Sequence, residues 1–191
     1  NLNSINKTYL WKIKIKKEHK VGKNLTLTGM MGVGKSTLGK NLAKKLKYNF
    51  VDVDKIIEAE EGTSINLIFK NKSENYFRKI ENDLTLAQLE TVNSVISLGG
   101  GAFLNSEIRR STKKSSVSFW LDAPIEELIK RLNKNPKRPL LYKKKLSETV
   151  KKIYFERKKF YNEANHRIRC NSFKSEEIAN KILNLYEKSG N

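Results

Sequence analysis

From residue 25 onward, short apolar runs alternate with longer stretches in which apolar positions recur every three or four residues. The runs at 25–28, 50–53, 94–98, 117–121 and 166–170 are four or five residues long, the length of a strand, so they predict strands. The stretches between them predict helices. Residues 35–47 put Leu38, Leu42 and Leu46 on one face, and 74–91 turn Phe77, Ile80, Leu84 and Leu89 inward. Shorter helices are predicted at 54–61, where Gly62 stops the pattern, and at 64–69. Pro124 stands at a helix start, a place that suits its fixed φ, and that helix runs to Leu132. Two more are predicted at 147–164 and 175–188. Strands that alternate with helices imply parallel crossovers and an α/β sheet covered on both faces. Neither a repeat nor a linker interrupts the pattern, so residues 24–191 are read as one domain.

Two segments fall outside the pattern. Residues 133–146 hold Pro136, Pro139 and six cationic side chains, which predicts a mobile lid. Residues 1–23 carry seven lysines and one glutamate and are read as a basic N-terminal extension. The apolar–charged alternation at 9–15 within it predicts an added edge strand.

Composition narrows the function classes. No stretch approaches the ~20 apolar residues of a membrane span. The single cysteine, Cys170, excludes an internal disulfide and fits a reducing, cytoplasmic setting. No thiol-activating motif surrounds it, so it reads as a small buried hydrophobe. The net charge of +19 invites a nucleic-acid reading. However, lysine outnumbers arginine 31 to 8 and there are 20 asparagines, a bias spread along the whole chain. Clustered arginines and an aromatic platform are both missing. The charge therefore reads as general composition, with no nucleic-acid partner, and its field favours anionic small molecules such as ATP.

The first motif with chemistry is Gly29-Met30-Met31-Gly32-Val33-Gly34-Lys35-Ser36-Thr37. It lies between a predicted strand and a predicted helix, the context a P-loop requires. Its glycines let backbone N–H groups wrap a phosphate, and the following helix adds its positive end. Lys35 reaches the β- and γ-phosphates, and the Ser36 hydroxyl ligates Mg²⁺. Gly32, Val33, Gly34, Lys35, Ser36 and Thr37 form the ATP site. GTPases, ATPases and small-molecule kinases all share this loop, so the acceptor must come from the rest of the chain.

Asp52 and Asp54 end the second predicted strand, where period two places them on one face. Ligands of parallel α/β sheets bind outside the carboxyl ends of the strands. One carboxylate there can hold a water on Mg²⁺, and the other can take the proton of an attacking hydroxyl. Asp54 can equally be a helix cap. Gly99-Gly100-Gly101 follows the third predicted strand directly, which suits a ligand pressed against the main chain. Arg78 and Arg157 offer planar forks for a carboxylate, though Arg78 can also be a surface ion pair and Arg157 a solvated helix charge. Arg138 lies in the predicted lid, where a cation could close over the triphosphate.

These pieces in this order resemble the shikimate kinase family. The resemblance rests on Gly29 to Thr37, Asp52-Val53-Asp54, Phe77-Arg78, Gly99 to Gly101, Arg138-Pro139-Leu140-Leu141, and Arg157 with Tyr161. It covers about residues 24–188. It implies a three-layer α/β/α P-loop kinase fold with a five-stranded parallel sheet of order 2-3-1-4-5. The implied reaction moves the γ-phosphoryl of ATP to the 3-hydroxyl of shikimate, a step toward chorismate and the aromatic amino acids. By the same resemblance, Asp54 activates the acceptor hydroxyl, Arg78 and Arg157 clamp the shikimate carboxylate, and the Gly100 backbone contacts the substrate. Lys35 and Arg138 stabilise the phosphoryl group in transfer, Ser36 ligates Mg²⁺, and Asp52 acts on the metal through water. The enzyme is expected to be a monomer.

The sequence departs from the family pattern in places. Ser73-Glu74 stands where members usually have Gly-Glu, and Ser97-Leu98 where many have Ala-Thr. The late loop at 170–174 carries no clear adenine-flanking signature. The nearest rival is another P-loop small-molecule kinase such as a gluconate kinase, which shares the loop but does not need the other motifs together. An inactive kinase-like binding module would show a broken Lys35, Ser36, Asp54 or Arg138, and all four are intact.

Overall fold

The fold is built outward from one fully buried strand, β1 (Asn24–Gly29). A strand covered on both faces can be polar only where its hydroxyls find partners or small spaces. Leu25 and Leu27 are fully buried, and the Thr26 hydroxyl donates to Ser116 Oγ at 2.8 Å. In the computed structural model, residues 22–134, 146–171 and 175–189 are described. Residues 1–21 of the basic extension, with its expected edge strand, most of the expected lid including Arg138, and residues 172–174 of the late loop lie outside the described residues.

The element order is β1, α1 (Lys35–Leu46), β2 (Asn49–Asp52), α2 (Val53–Glu60), α3 (Ile65–Asn71), α4 (Glu74–Leu89), β3 (Ser94–Ser97), a 3-10 turn (Ala102–Leu104), α5 (Ser106–Ser115), β4 (Ser116–Asp122), α6 (Ile125–Asn133), α7 (Leu146–Tyr161), β5 (His166–Arg169) and α8 (Ser175–Lys188). All strand pairs are parallel, in the order β2-β3-β1-β4-β5. This is the expected three-layer P-loop kinase architecture. Since β1 is flanked by β3 and β4, the chain leaves it to build the sheet first on one side and then on the other. The loop after β1 therefore opens at the switch point where such sheets bind ligands. No described helix is long and apolar enough to cross a membrane.

One described helix, α5, lies in a stretch where no element was predicted. Only Ile108 and Thr112 of α5 are buried, one turn apart, and the rest of the helix is polar. A stripe with one apolar residue gives no periodic signal. The parallel pairing of β1 with β3 and β4 nevertheless demands a crossover there. Asn105 starts α5, its Oδ1 accepting the Glu107 N–H at 2.8 Å.

Asn24 ties the amino end of β1 to the α4–β3 connection. Its side chain donates to Leu89 O at 3.3 Å and Thr91 O at 2.5 Å, and accepts from Ser94 N at 3.0 Å. Asn24 is buried, so water cannot replace these bonds. Asn24→Ala is expected to cost about 2–4 kcal/mol through orphaned backbone groups, read as a lower urea midpoint at unchanged slope. A loss under about 0.5 kcal/mol, the size of an ordinary surface change, would show that the tie is dispensable.

Candidate active site

The nucleotide loop joins β1 to α1. Gly34 immediately precedes the helix at φ 100°, a left-handed conformation that side chains resist. No side chain caps α1, so its first-turn N–H groups face the loop, as anion binding at a helix start requires. Lys35 is buried, and its Nζ donates to the carbonyls of Gly29 at 3.0 Å and Met30 at 3.1 Å. Those bonds hold the ammonium inside the loop. Ser36 and Thr37 are exposed in the first turn of α1. Val33 is buried and its N–H closes a turn onto Met30 O at 3.4 Å, anchoring the span that includes Gly32. Arg131, on α6, brings Nη1 to 3.5 Å from both Gly32 O and Val33 O. The sequence reading missed it, although it is one of only eight arginines and ends a helix next to the expected lid.

The acceptor side forms at the carboxyl ends of β2 and β3, where Asp52 pairs in register with Ser97. One expectation needs correction. β2 ends at Asp52 and α2 begins at Val53, so Asp54 stands in the first helical turn and not on the strand. The period-two argument that placed both carboxylates on one strand face therefore does not apply. An acidic residue at a helix start is favoured by the helix dipole, and the fully buried Val53 drives the turn inward. Asp54 still faces the glycine turn. A Cβ on Gly99 would lie 2.8 Å from Asp54 Oδ1 and closer still to Glu81 Oε1.

Arg78 and Arg157 reach the same turn from two helices. Phe77 points into the core against Phe69, with ring centroids 4.7 Å apart, which leaves Arg78 at the edge as expected. Its guanidinium lies against Gly101, where a Cβ would sit 2.8 Å from Nη2. Arg157 Nη1 donates to Gly100 O at 2.8 Å. Arg78 also makes ion pairs, at 2.6 Å with Glu81 Oε2 and 3.1 Å with Glu74 Oε1. The expected ion pairing is therefore present, on a guanidinium that also stands against the glycine turn.

Glu81 is the acidic residue that the sequence reading overlooked. Its side chain is only 3% exposed. Burial pushes its carboxyl above the ordinary glutamate range; Arg78 opposes the shift and the nearby Asp54 charge adds to it. Burial works against the charge on Arg78, but Glu81 and Glu74 outweigh it and hold the guanidinium protonated. A signal was available: Phe77, Glu81, Thr85 and Leu89 share the buried stripe of α4 at four-residue spacing. A carboxylate on a core face needs a cation, and Arg78 stands three residues before it. A cavity of about 410 Å³ opens beside the pair, bounded also by Gly101, Leu104 and Ile108. Cys170 is buried as expected, and burial pushes its thiol up to about 11, out of nucleophilic range.

The comparisons with known proteins agree with this geometry. The sequence model of the shikimate kinase family matches residues 31–187. A curated shikimate kinase from Persephonella marina is 42% identical over 161 residues, covering 84% of this chain and 97% of that protein. The solved structure of shikimate kinase from Acinetobacter baumannii in complex with shikimate is 29% identical, with a TM-score of 0.83 over 88% of this chain and 95% of that one. A gluconokinase from Sinorhizobium meliloti has a TM-score of 0.59 at 14% identity over 90% of this chain and 95% of that one, a likeness of fold alone. The chain belongs to the shikimate kinase family.

Proposed function

We propose that this enzyme transfers the γ-phosphoryl of ATP to the 3-hydroxyl of shikimate, giving shikimate 3-phosphate and ADP. The observation that carries the reading is the convergence of Asp54, Arg78 and Arg157 on the Gly99–Gly101 turn beside the nucleotide loop. Two guanidinium groups suit a carboxylate, and one carboxylate suits a hydroxyl. In this reading Arg78 and Arg157 bind the shikimate carboxylate. The Gly100 carbonyl already accepts from Arg157, so contact between Gly100 and substrate falls to its N–H. The acceptor oxygen forms a bond to the γ-phosphorus while the bond to the β–γ bridging oxygen breaks and ADP leaves. The hydroxyl proton passes to Asp54.

Gly32 to Thr37 bind the ATP phosphates, with Lys35 stabilising the charge on the phosphoryl group. Arg138 keeps its proposed role in closing over that group, on the strength of its place in Arg138-Pro139-Leu140-Leu141. The Ser36 hydroxyl and the Asp52 carboxylate are hard oxygens of the kind that Mg²⁺ takes. No cluster of three or more histidine, cysteine or acidic side chains that could hold a metal occurs among the described residues. Ser36 would ligate Mg²⁺ directly and Asp52 through water, and the bound ion would supply charge neutralisation along the triphosphate.

A coupled assay of ADP release tests the proposal, with shikimate run beside gluconate and a nucleoside monophosphate. Shikimate is expected to raise ADP release at least 100-fold above either alternative, because a site built to pair a substrate's polar groups rejects analogues that leave them unpaired. Equal turnover of gluconate would move the enzyme to the rival reading.

A further inference from the structure

We propose that Tyr161 is a positioning residue of this site, its hydroxyl holding the Gly100 carbonyl and so fixing the acceptor-binding turn against the nucleotide loop. The inference rests on the shikimate kinase reading and adds a residue to it. Tyr161 ends α7 and is fully buried. Its hydroxyl donates to Gly100 O at 2.5 Å, and Arg157 Nη1 donates to the same oxygen at 2.8 Å. Arg157 and Tyr161 stand four residues apart on one helix face. One face of α7 therefore supplies both donors that a carbonyl oxygen can accept in its plane.

The same phenol touches the nucleotide side. Its oxygen lies 3.9 Å from Met30 Sδ, a residue of the phosphate loop. The position of a Cβ on Gly100 is 3.5 Å from Met31 N and 3.8 Å from Gly29 O, so a single added methyl group would bring the glycine turn into contact with the phosphate loop. The Tyr161 hydroxyl thus stands where both substrate-binding segments meet. Its ring is held by Trp120, with centroids 6.0 Å apart. Burial raises the phenol pKa, with Arg157 opposing, so the group stays a donor.

Removing the hydroxyl leaves Gly100 O to Arg157 alone. The guanidinium is then free to follow the carbonyl, and its aim at a substrate carboxylate loosens. The loss should fall on the acceptor more than on ATP, because the Gly29 and Met30 carbonyls hold Lys35.

Steady-state kinetics on Tyr161→Phe, which keeps the ring, test this. The KM for shikimate is expected to rise about tenfold, the size of one hydrogen bond, with the KM for ATP within twofold. Tyr154→Phe is the control: a buried tyrosine two turns earlier on α7 that donates to Asp122 Oδ1 at 2.9 Å, away from the glycine turn. It should lower the thermal midpoint comparably and leave both KM values unchanged. A shikimate KM that stays put in Tyr161→Phe, moves together with the ATP KM, or moves equally in the control overturns the inference alone. A wild-type protein with no shikimate-dependent ADP release overturns the functional reading, and this inference with it.

Discussion

Asp54→Asn is expected to lower kcat about 1,000-fold while the KM for ATP stays within twofold. Asparagine matches aspartate in size and keeps one oxygen that accepts a hydrogen bond, so the acceptor hydroxyl can still be held. It cannot take the proton, and a positioned base contributes about 10²–10⁴ in rate. The effect should be confined to turnover because the two half-sites come from different elements. Asp54 is in the first turn of α2, facing Gly99, whereas the phosphates fall to the β1–α1 loop. Calorimetric titration with ATP checks the binding half and the ADP-release assay the chemical half. Turnover above about a tenth of wild type, less than the smallest loss ascribed to a missing base, would take the role from Asp54.

The nucleotide side was legible because P-loop chemistry is local. The strand, the loop and the helix start are contiguous in sequence, and Gly34 and Lys35 do their work within that span. The strand order followed from the family resemblance, and the pattern of runs located every strand among the described residues. The acceptor side was legible only as fragments, since Asp54, Arg78, Gly100 and Arg157 come from four separate segments. What the pattern misjudged was phase. Residues 51–54 alternate well enough to extend the strand through Asp54, but the buried Val53 already belongs to the helix that follows β2. Glu81 escaped because the inward face of α4 was read from the apolar residues Phe77, Ile80, Leu84 and Leu89 alone, whereas Glu81 lies on the same stripe as Phe77 and Leu89. Its burial is tolerable only because Arg78 is beside it, and that is a property of tertiary packing.

That dependence makes Arg78→Ala the more revealing substitution, since it removes a proposed substrate contact and a structural counter-charge together. Loss of a bidentate, charge-assisted pair to the shikimate carboxylate should raise the shikimate KM about 100-fold or more, with the ATP KM nearly unchanged. The same change leaves Glu81 buried without its ion-pair partner. Breaking a fully buried pair costs about 3–5 kcal/mol. Arg78 is one-third exposed, so about 2–4 kcal/mol is expected here. The pH dependence has a definite sign. Burial holds the folded-state Glu81 carboxyl above its ordinary value of 4.5, so the folded chain binds the proton more tightly than the unfolded one. The stability it supports is present below that value and is lost as pH rises through the raised one. Without Arg78 to oppose burial the raised value climbs further, so Arg78→Ala should lose stability over a wider span above pH 4.5 than wild type. Adding Glu81→Gln removes the stranded charge. The double variant should recover much of the stability and flatten its pH profile, yet keep the raised shikimate KM. If Glu81→Gln instead restored the KM, the effect of losing Arg78 would be structural, and the carboxylate clamp would have to be given up.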